Sequence, residues 1–123
     1  MRQRCYAKVI LASHSMGPWM SNVYFQQTPG SPYSAWVVMG VTGRIFPLKE
    51  NSLPVLDPYG EKNLPVNVSS AWLRRAQLMF LPQSEQVMVA NADHHDTGAE
   101  KAAARTIIDF PESRAPLASG EQK

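Results

Sequence analysis

The chain has 123 residues, of which 44% are hydrophobic and 18% charged, and its formal net charge is +2 at pH 7. This length accommodates one domain and excludes two, and the apolar runs, Val9–Ala12 and Ala35–Met39 among them, are too short for a membrane span or a signal peptide. The single Cys5 excludes an internal disulfide framework and a thiolate metal site.

Charge is unevenly distributed along the chain. Residues 1–84 contain eight Lys or Arg and three Asp or Glu, whereas residues 85–123 contain four and seven. A basic segment can bind nucleic acid when its cations cluster. Only Arg74 and Arg75 are adjacent here, and no nucleic-acid-binding motif accompanies them. We therefore expect a solvated surface and no nucleic-acid partner.

The first forty residues follow the order strand, turn, helix, strand. The segment Cys5–Ser13, CYAKVILAS, predicts a strand buried on both faces, and a sharp turn follows at His14–Gly17. Pro18 suits the first turn of a helix. The apolar face expected for that helix consists of Trp19, Met20, Val23 and Tyr24. A second buried strand is expected over Ala35–Met39, AWVVM. This βαβ order indicates an α/β fold with a parallel sheet.

The elements after the second strand are shorter. Residues 43–68 contain four prolines and little periodicity, so we expect a loop-rich region without a strand of the central sheet. A serine-capped helix over Ala71–Phe80, a strand over Gln86–Ala90 and a helix over Gly98–Arg105 are predicted next, with Ile107 and Ile108 docking the last helix. Residues 1–110 are thus expected to form one domain, and residues 111–123 a disordered tail.

The five residues Ser13-His14-Ser15-Met16-Gly17 have the form small-x-Ser-x-small, between a predicted strand and a predicted helix. This pattern is typical of a nucleophile elbow, a strained turn in which larger residues two positions from the serine would collide. Ser15 is the candidate nucleophile. The backbone N–H of Met16, at the start of the following helix, is the candidate oxyanion donor. An ordinary serine-bearing turn is the alternative.

The stretch KVILASHSMG, followed by a helix containing VYF, resembles the lecithin:cholesterol acyltransferase and lysosomal phospholipase A2 family of the α/β-hydrolase superfamily. Asn51–Pro58, Ser69–Leu73 and Glu85–Val89 are similar to later segments of that family, so the resemblance covers about residues 7–100. It implies a partial α/β-hydrolase core, an acyl-serine intermediate formed by Ser15 on a phospholipid or other lipid ester, and acyl transfer to a lipid alcohol such as a sterol or to water. It implies no cofactor. It is compatible with the secretory pathway, a lysosome or vacuole, and the endoplasmic reticulum, and the sequence does not identify the compartment.

The chain departs from that family at several positions. Pro18 stands where the family has Gly or Asn, and Val41–Arg44 replaces its Pro-Trp-Gly-Gly loop. The family's triad acid, its triad histidine and its first oxyanion donor do not map onto this sequence. We therefore expect a truncated form of the enzyme that lacks a complete catalytic triad.

The tetrapeptide Asp93-His94-His95-Asp96 contains the residue types of a replacement base and acid. A solvated polar loop is favoured, because adjacent residues rarely orient one another as base and acid. A metal site is a weaker alternative, and we expect none. His14 is interpreted as a spacer in the elbow. Asn67-Val68-Ser69 is a glycosylation sequon, which matters only in a secreted protein.

Two other functions remain open from the sequence. One is a non-catalytic binding or interaction protein that keeps the βαβ core, and the less favoured one is a small basic nucleic-acid-binding protein. A sheet without its outer strands would expose edges, so we also expect marginal stability or self-association through those edges.

Overall fold

The structure, a computed structural model, describes residues 8–43 and 53–114. Four strands and four helices occur in these ranges, in the order β1 (Ile10–His14), α1 (Gly17–Gln27), β2 (Ala35–Met39), β3 (Val55–Gly60), α2 (Pro65–Ser69), α3 (Ala71–Leu78), β4 (Glu85–Val89) and α4 (Glu100–Arg114). The strands form one sheet in the order β1-β2-β3-β4, and every neighbouring pair is parallel. The predicted α/β fold with a parallel sheet is confirmed.

Helices cover both faces of the sheet. On one face, Phe25 of α1 and Leu78 of α3 pack in a single apolar cluster with Trp36 of β2. On the other face, Phe110 of α4 packs with Val37 of β2 and a second set of strand residues. Successive residues of β2 thus face two different cores, which is why its sequence AWVVM is continuously apolar. No helix in the described ranges is both long and apolar enough to cross a membrane.

The first strand differs from its prediction in extent and burial. β1 begins at Ile10, while Lys8 and Val9 lie before it and residues 1–7 lie outside the described residues. Its residues are half-buried and Ala12 is exposed, so the expectation of burial on both faces is wrong. β1 is an edge strand of the sheet, which leaves one side of its backbone without a neighbouring strand among the described residues. Self-association through the edge strands β1 and β4 stays a prediction.

Helix α1 buries a different face from the one expected. Pro18, Asn22 and Phe25 are buried, at a spacing of i, i+4 and i+7. Met20 is 74% exposed and Val23 is 50% exposed. The expected apolar face is therefore wrong for Met20 and Val23, whereas Tyr24 packs against the core. The aromatic ring of Phe25 packs against Trp36, and the Met20 side of the helix faces outward.

Strand β3 lies within the region where no strand was expected. Its residues include Asp57 and Pro58, which disfavour a central strand in a sequence. The backbone oxygen of Pro54 accepts a hydrogen bond from Trp36 N of β2. Every second residue of a strand directs its backbone polar groups to the same neighbouring strand, so the nitrogen of Pro58 also points toward β2. Pairing between β2 and β3 ends at Leu56. The missing N–H of Pro58 therefore costs no ladder bond to β2.

The later elements follow the predicted order, with bounds that differ by one or two residues at several ends and with the following further differences. Ser70 is the N-cap of α3, but its hydroxyl donates to Val66 O at 2.6 Å and makes no capping bond to that helix. On α4, Phe110 is buried, whereas Ile108 is 60% exposed and does not dock the helix. The helix α4 continues to Arg114, so the predicted tail does not begin at Pro111, and residues 115–123 lie outside the described residues.

A buried ion pair connects α3 to the sheet. Arg74 Nε donates to Asp57 Oδ2 at 2.7 Å, and both side chains are at most 1% exposed. Gln86 Nε2 of β4 donates to the same carboxylate oxygen at 2.9 Å. Arg74 also donates to the Ser70 hydroxyl and to Asn67 O, so one guanidinium links α2, α3 and β3. Removal of either charge would leave the other buried without compensation.

We expect Asp57→Asn to lower the free energy of unfolding by about 3–5 kcal/mol, because it leaves the Arg74 guanidinium without its counter-charge inside the protein. Asp109→Asn is the matched control. Asp109 lies 3.9 Å from Arg105 on the exposed surface of α4, where an ion pair adds little. Urea unfolding of both variants measures the difference, and equal losses would contradict the assigned role of the buried pair.

Candidate functional site

All four strands run in the same direction, so their carboxyl ends meet at one edge of the sheet. In an open α/β sheet this edge is where binding residues collect. Ser15 follows β1, Gly40 follows β2, Asn63 follows β3 and His94 follows β4. The sequence separations are large, yet the four residues form one cluster.

Ser15 has the backbone conformation expected of a nucleophile elbow. Its φ angle is 62°, in the left-handed region that a residue with a side chain enters only under strain. Its N–H donates to Met39 O of β2 at 2.8 Å, which holds the turn. A Cβ atom added to Gly17 would lie 3.2 Å from the Cβ of Ser13. This contact is the collision that the small residues at the two ends of the motif were predicted to relieve.

Met16 occupies the N-cap position of α1. Backbone N–H groups at a helix N-terminus have no acceptor in the preceding turn of the helix, and the helix dipole makes this end positive. The Met16 side chain is 74% exposed. The predicted oxyanion donor therefore lies next to Ser15 at a helix start, the location on which that prediction was based.

His94 lies within hydrogen-bonding distance of Ser15. The distance from His94 Nε2 to Ser15 Oγ is 3.1 Å. The expectation that this tetrapeptide forms only a solvated polar loop is wrong for His94, and so is the expectation that the chain holds no histidine for the serine. Its neighbour His95 is exposed. The physical reason is that the loop after β4 turns back across the carboxyl edge of the sheet toward β1.

Asn63 is the third member of the cluster, and the sequence did not suggest it. Its Oδ1 lies 2.8 Å from His94 Nδ1 and 2.7 Å from the backbone nitrogen of Leu64. A backbone N–H can only donate, so this atom of the amide is the oxygen. An amide oxygen only accepts, so His94 Nδ1 carries a hydrogen. In the neutral ring Nε2 is then free to accept the hydroxyl hydrogen of Ser15.

The surroundings of His94 favour its neutral form. Partial burial lowers the pKa of His94 below its usual range, and the nearby His14 and His95 lower it further when they are charged. Asp93 and Asp96 act in the opposite direction and are weaker. A lowered pKa keeps the imidazole unprotonated at neutral pH, which is the state that can accept a proton from a hydroxyl.

Two glycines let the loop after β4 pass close over the ends of the inner strands. A Cβ atom on Gly60 would lie 2.3 Å from Ala92 O, and one on Gly40 would lie 2.9 Å from His94 Cε1. Gly40 also has a φ angle of 65°. Without side chains at these positions the loop reaches Ser15; with them it would be displaced away from the sheet.

Asn67 holds the backbone that follows β2 at this edge of the sheet. Its Nδ2 donates to Gly40 O at 2.8 Å and to Val41 O at 2.9 Å. The residue is 0% exposed. The sequon at Asn67 is therefore inaccessible to glycosylation in the folded chain. No group of His, Cys, Asp and Glu side chains in residues 8–43 and 53–114 is arranged to hold a metal ion.

Several solved structures are similar to this fold. A chain of MGS-MChE2, an α/β-hydrolase enzyme from the metagenome of sediments from the Mar Chica lagoon in Morocco, has 14% sequence identity and a TM-score of 0.62, over 91% of this chain and 65% of that one. A predicted CIB-like hydrolase from Thermoplasma acidophilum has 16% identity and a TM-score of 0.58, over 92% and 54%. The esterase domain of a Rhodothermus marinus protein has 14% identity and a TM-score of 0.56, over 85% and 60%.

These likenesses show the fold. The chain has an α/β-hydrolase-like fold, as the resemblance implied, and it spans between 54% and 65% of the length of these three chains. They do not distinguish the lecithin:cholesterol acyltransferase family within that superfamily. No protein-family model matches the sequence, and no curated protein matches it.

We expect Gly40→Ala to displace the His94 ring, because its new Cβ would lie 2.9 Å from His94 Cε1. Gly30→Ala is the matched control: Gly30 has a φ angle of 74° and no atom within 4 Å of an added Cβ. Both variants should lose about 1–2 kcal/mol of stability from the left-handed backbone. Only Gly40→Ala should also shift the NMR signals of the His94 ring. Unchanged His94 signals in both variants would contradict the packing described.

Proposed function

We propose that the chain is a serine hydrolase that cleaves carboxylic esters through an acyl-serine intermediate. The observation that carries this proposal is a pair of contacts made by the His94 imidazole. Its Nε2 lies 3.1 Å from Ser15 Oγ, and its Nδ1 lies 2.8 Å from Asn63 Oδ1. A nucleophile, a base and a group that orients the base are the minimum set for this chemistry. The hydrolase and esterase names of the similar structures support the same class.

The reaction proceeds in two halves. Ser15 Oγ attacks the ester carbonyl carbon while its proton moves to His94 Nε2, and the carbonyl oxygen becomes an oxyanion beside the Met16 N–H. The tetrahedral intermediate collapses, the bond to the alcohol oxygen breaks, and His94 returns the proton to the departing alcohol. Water then attacks the acyl-serine with His94 as base, and the carboxylic acid leaves as Ser15 recovers its proton.

Asn63 gives the base its orientation and its tautomer. A carboxylate in this position would also stabilise the imidazolium that forms during the reaction, and a neutral amide does not. The negative charges nearest to His94 belong instead to the loop acids Asp93 and Asp96, which raise its pKa against the effect of burial. The proposed enzyme therefore works with a weaker base than a triad with an acid would have.

The narrower proposal, a lipid acyltransferase or phospholipase, draws support from the helix that follows Ser15. No residue of α1, GPWMSNVYFQQ, is charged. Four large apolar side chains are exposed in this part of the chain. One belongs to the residue before the helix, Met16, and three belong to the helix itself, Trp19, Met20 and Val23. An uncharged apolar surface that begins beside the nucleophile suits an ester with a long acyl chain.

Treatment with a fluorophosphonate probe tests the general proposal. We expect the wild-type chain to be labelled and to hydrolyse p-nitrophenyl acetate, and Ser15→Ala to lose both activities because the nucleophile is gone. Ser69→Ala, at an exposed serine of α2, is the control that should keep them. An unlabelled, folded wild-type chain would overturn the proposal and favour the non-catalytic binding protein.

The same preparation separates the narrower proposal from the general one. Phosphatidylcholine vesicles with and without a sterol are supplied in place of the small ester. Release of fatty acid indicates a phospholipase, and formation of a sterol ester indicates an acyltransferase. Hydrolysis of the small ester alone would leave a serine hydrolase and contradict the lipid assignment.

The pH dependence of kcat/KM should show a single acidic limb with a midpoint below the usual pKa of a histidine side chain, because His94 acts as the neutral base and its pKa is lowered. As pH falls through that pKa the ring is protonated and the activity is lost. Asn63→Asp should move the limb up by about one to three pH units, since a carboxylate favours the charged imidazole. An unmoved limb in a folded Asn63→Asp variant would show that position 63 does not contact the base.

A further inference from the structure

The geometry of the two reacting groups depends on a long loop. β1 and β4 are the two edge strands of the sheet. Two strands lie between them, so their carboxyl ends are about 14 Å apart. Ser15 is fixed to β1, whereas His94 belongs to the loop after β4. The base must therefore be carried back across the sheet and held there.

The loop is well held near β3 and β4. Lys62 N donates to Ala92 O at 2.8 Å, and Asn91 N donates to Glu61 Oε1 at 2.9 Å. Beyond that, Asp93 Oδ1 accepts bonds from two backbone nitrogens of the loop itself, at residues 95 and 97. These contacts shape the loop, but they do not fix its distance from β1.

The contact with β1 is made by His14. Its Nε2 lies 2.8 Å from the backbone oxygen of His94, and a carbonyl oxygen only accepts, so the His14 ring donates this hydrogen bond. The two rings also pack with their centroids 4.9 Å apart. His14 directly precedes Ser15, and it is paired with Met39 of β2 in the register of the sheet. Besides the contact between Ser15 and the His94 ring, this hydrogen bond joins the His94 backbone directly to β1.

We propose that His14 is a positioning residue that sets the distance between Ser15 and His94 by anchoring the His94 backbone to β1. This inference rests on the proposed hydrolase function and assigns a role to a residue that the sequence presented as a spacer. His14 acts through His94 and does not touch the reacting ester. Its loss should therefore lower kcat and leave KM nearly unchanged, because a displacement of about 1 Å between reacting groups costs on the order of 100-fold in rate.

Three variants test this role. His14→Leu removes the donor at similar size and should lower kcat by about 10- to 100-fold. His14→Gln places an amide N–H at a similar distance from the backbone and should recover most of that loss. His95→Gln is the matched control, since the His95 ring lies 5.7 Å from His14 and is exposed. At a pH well above the acidic limb it should keep the wild-type kcat, because there the effect of His95 on the pKa of His94 does not change the protonation of that ring.

Two further measurements distinguish a loss of positioning of His94 from a general disruption of the fold. In a His94→Ala background, His14→Leu should cause no additional loss of the residual activity, because its effect requires His94. Hydrogen exchange of residues 91–99 should accelerate in His14→Leu and not in His14→Gln. A His14→Leu variant with unchanged kcat and exchange, an equal loss in His14→Gln, or a further loss in the His94→Ala background would overturn the inference.

The exchange measurement is independent of activity. If the wild-type chain cleaves no ester while His14→Leu accelerates exchange and His14→Gln restores it, the hydrolase proposal fails and the anchoring of the loop stands. If the wild-type chain is active and exchange and kcat are the same in all three proteins, the hydrolase proposal stands and the role of His14 fails.

Discussion

The parallel register of four short strands is the constraint on which the rest of the molecule depends. It brings the ends of β1, β2, β3 and β4 to one edge, and with them the loops that contain Ser15, Asn63 and His94. Each strand contributes through its end, so a change in register would separate the three side chains. The buried pair Arg74–Asp57 supports that register from inside, because it ties α3 to the middle of β3.

The second requirement is that the loop after β4 passes close to the ends of the inner strands. This requirement explains several residues that take no part in the proposed reaction. Gly40 and Gly60 leave space for the loop after β4. Asn67 fixes the backbone at Gly40 through two hydrogen bonds, and its own carbonyl accepts from Arg74. The ion pair of the interior and the surface on which the His94 ring packs are therefore linked through one buried residue, Asn67, by its backbone carbonyl on one side and its side-chain amide on the other.

The sequence predicts those parts of the fold that are local. The elbow around Ser15, the apolar strand β2 and the strand β4 follow from spacing and composition over five to ten residues. The strand β3 does not follow from its local sequence. Asp57 is compatible with a buried strand only because it pairs with Arg74, and Pro58 only because the pairing with β2 has ended before it. Asn63 was missed for the same reason: a residue at a strand end is not recognised when the strand is not. His94 follows a predicted strand, and the rule that parallel strands share a carboxyl edge would have placed it at the same edge of the sheet as Ser15. The return of its loop across that edge depends on contacts that the sequence does not reveal.

The amide at position 63 separates two tasks that a carboxylate performs together. Orientation of an imidazole requires an acceptor in a fixed place, and the Leu64 N–H fixes the oxygen of Asn63 at 2.7 Å. Stabilisation of an imidazolium requires negative charge, which an amide does not have. Burial lowers the pKa of His94 while Asp93 and Asp96 raise it from within the same loop, so the strength of the base depends on where that loop lies. The bond from His14 to the His94 backbone therefore affects both the distance to Ser15 and the burial of the ring.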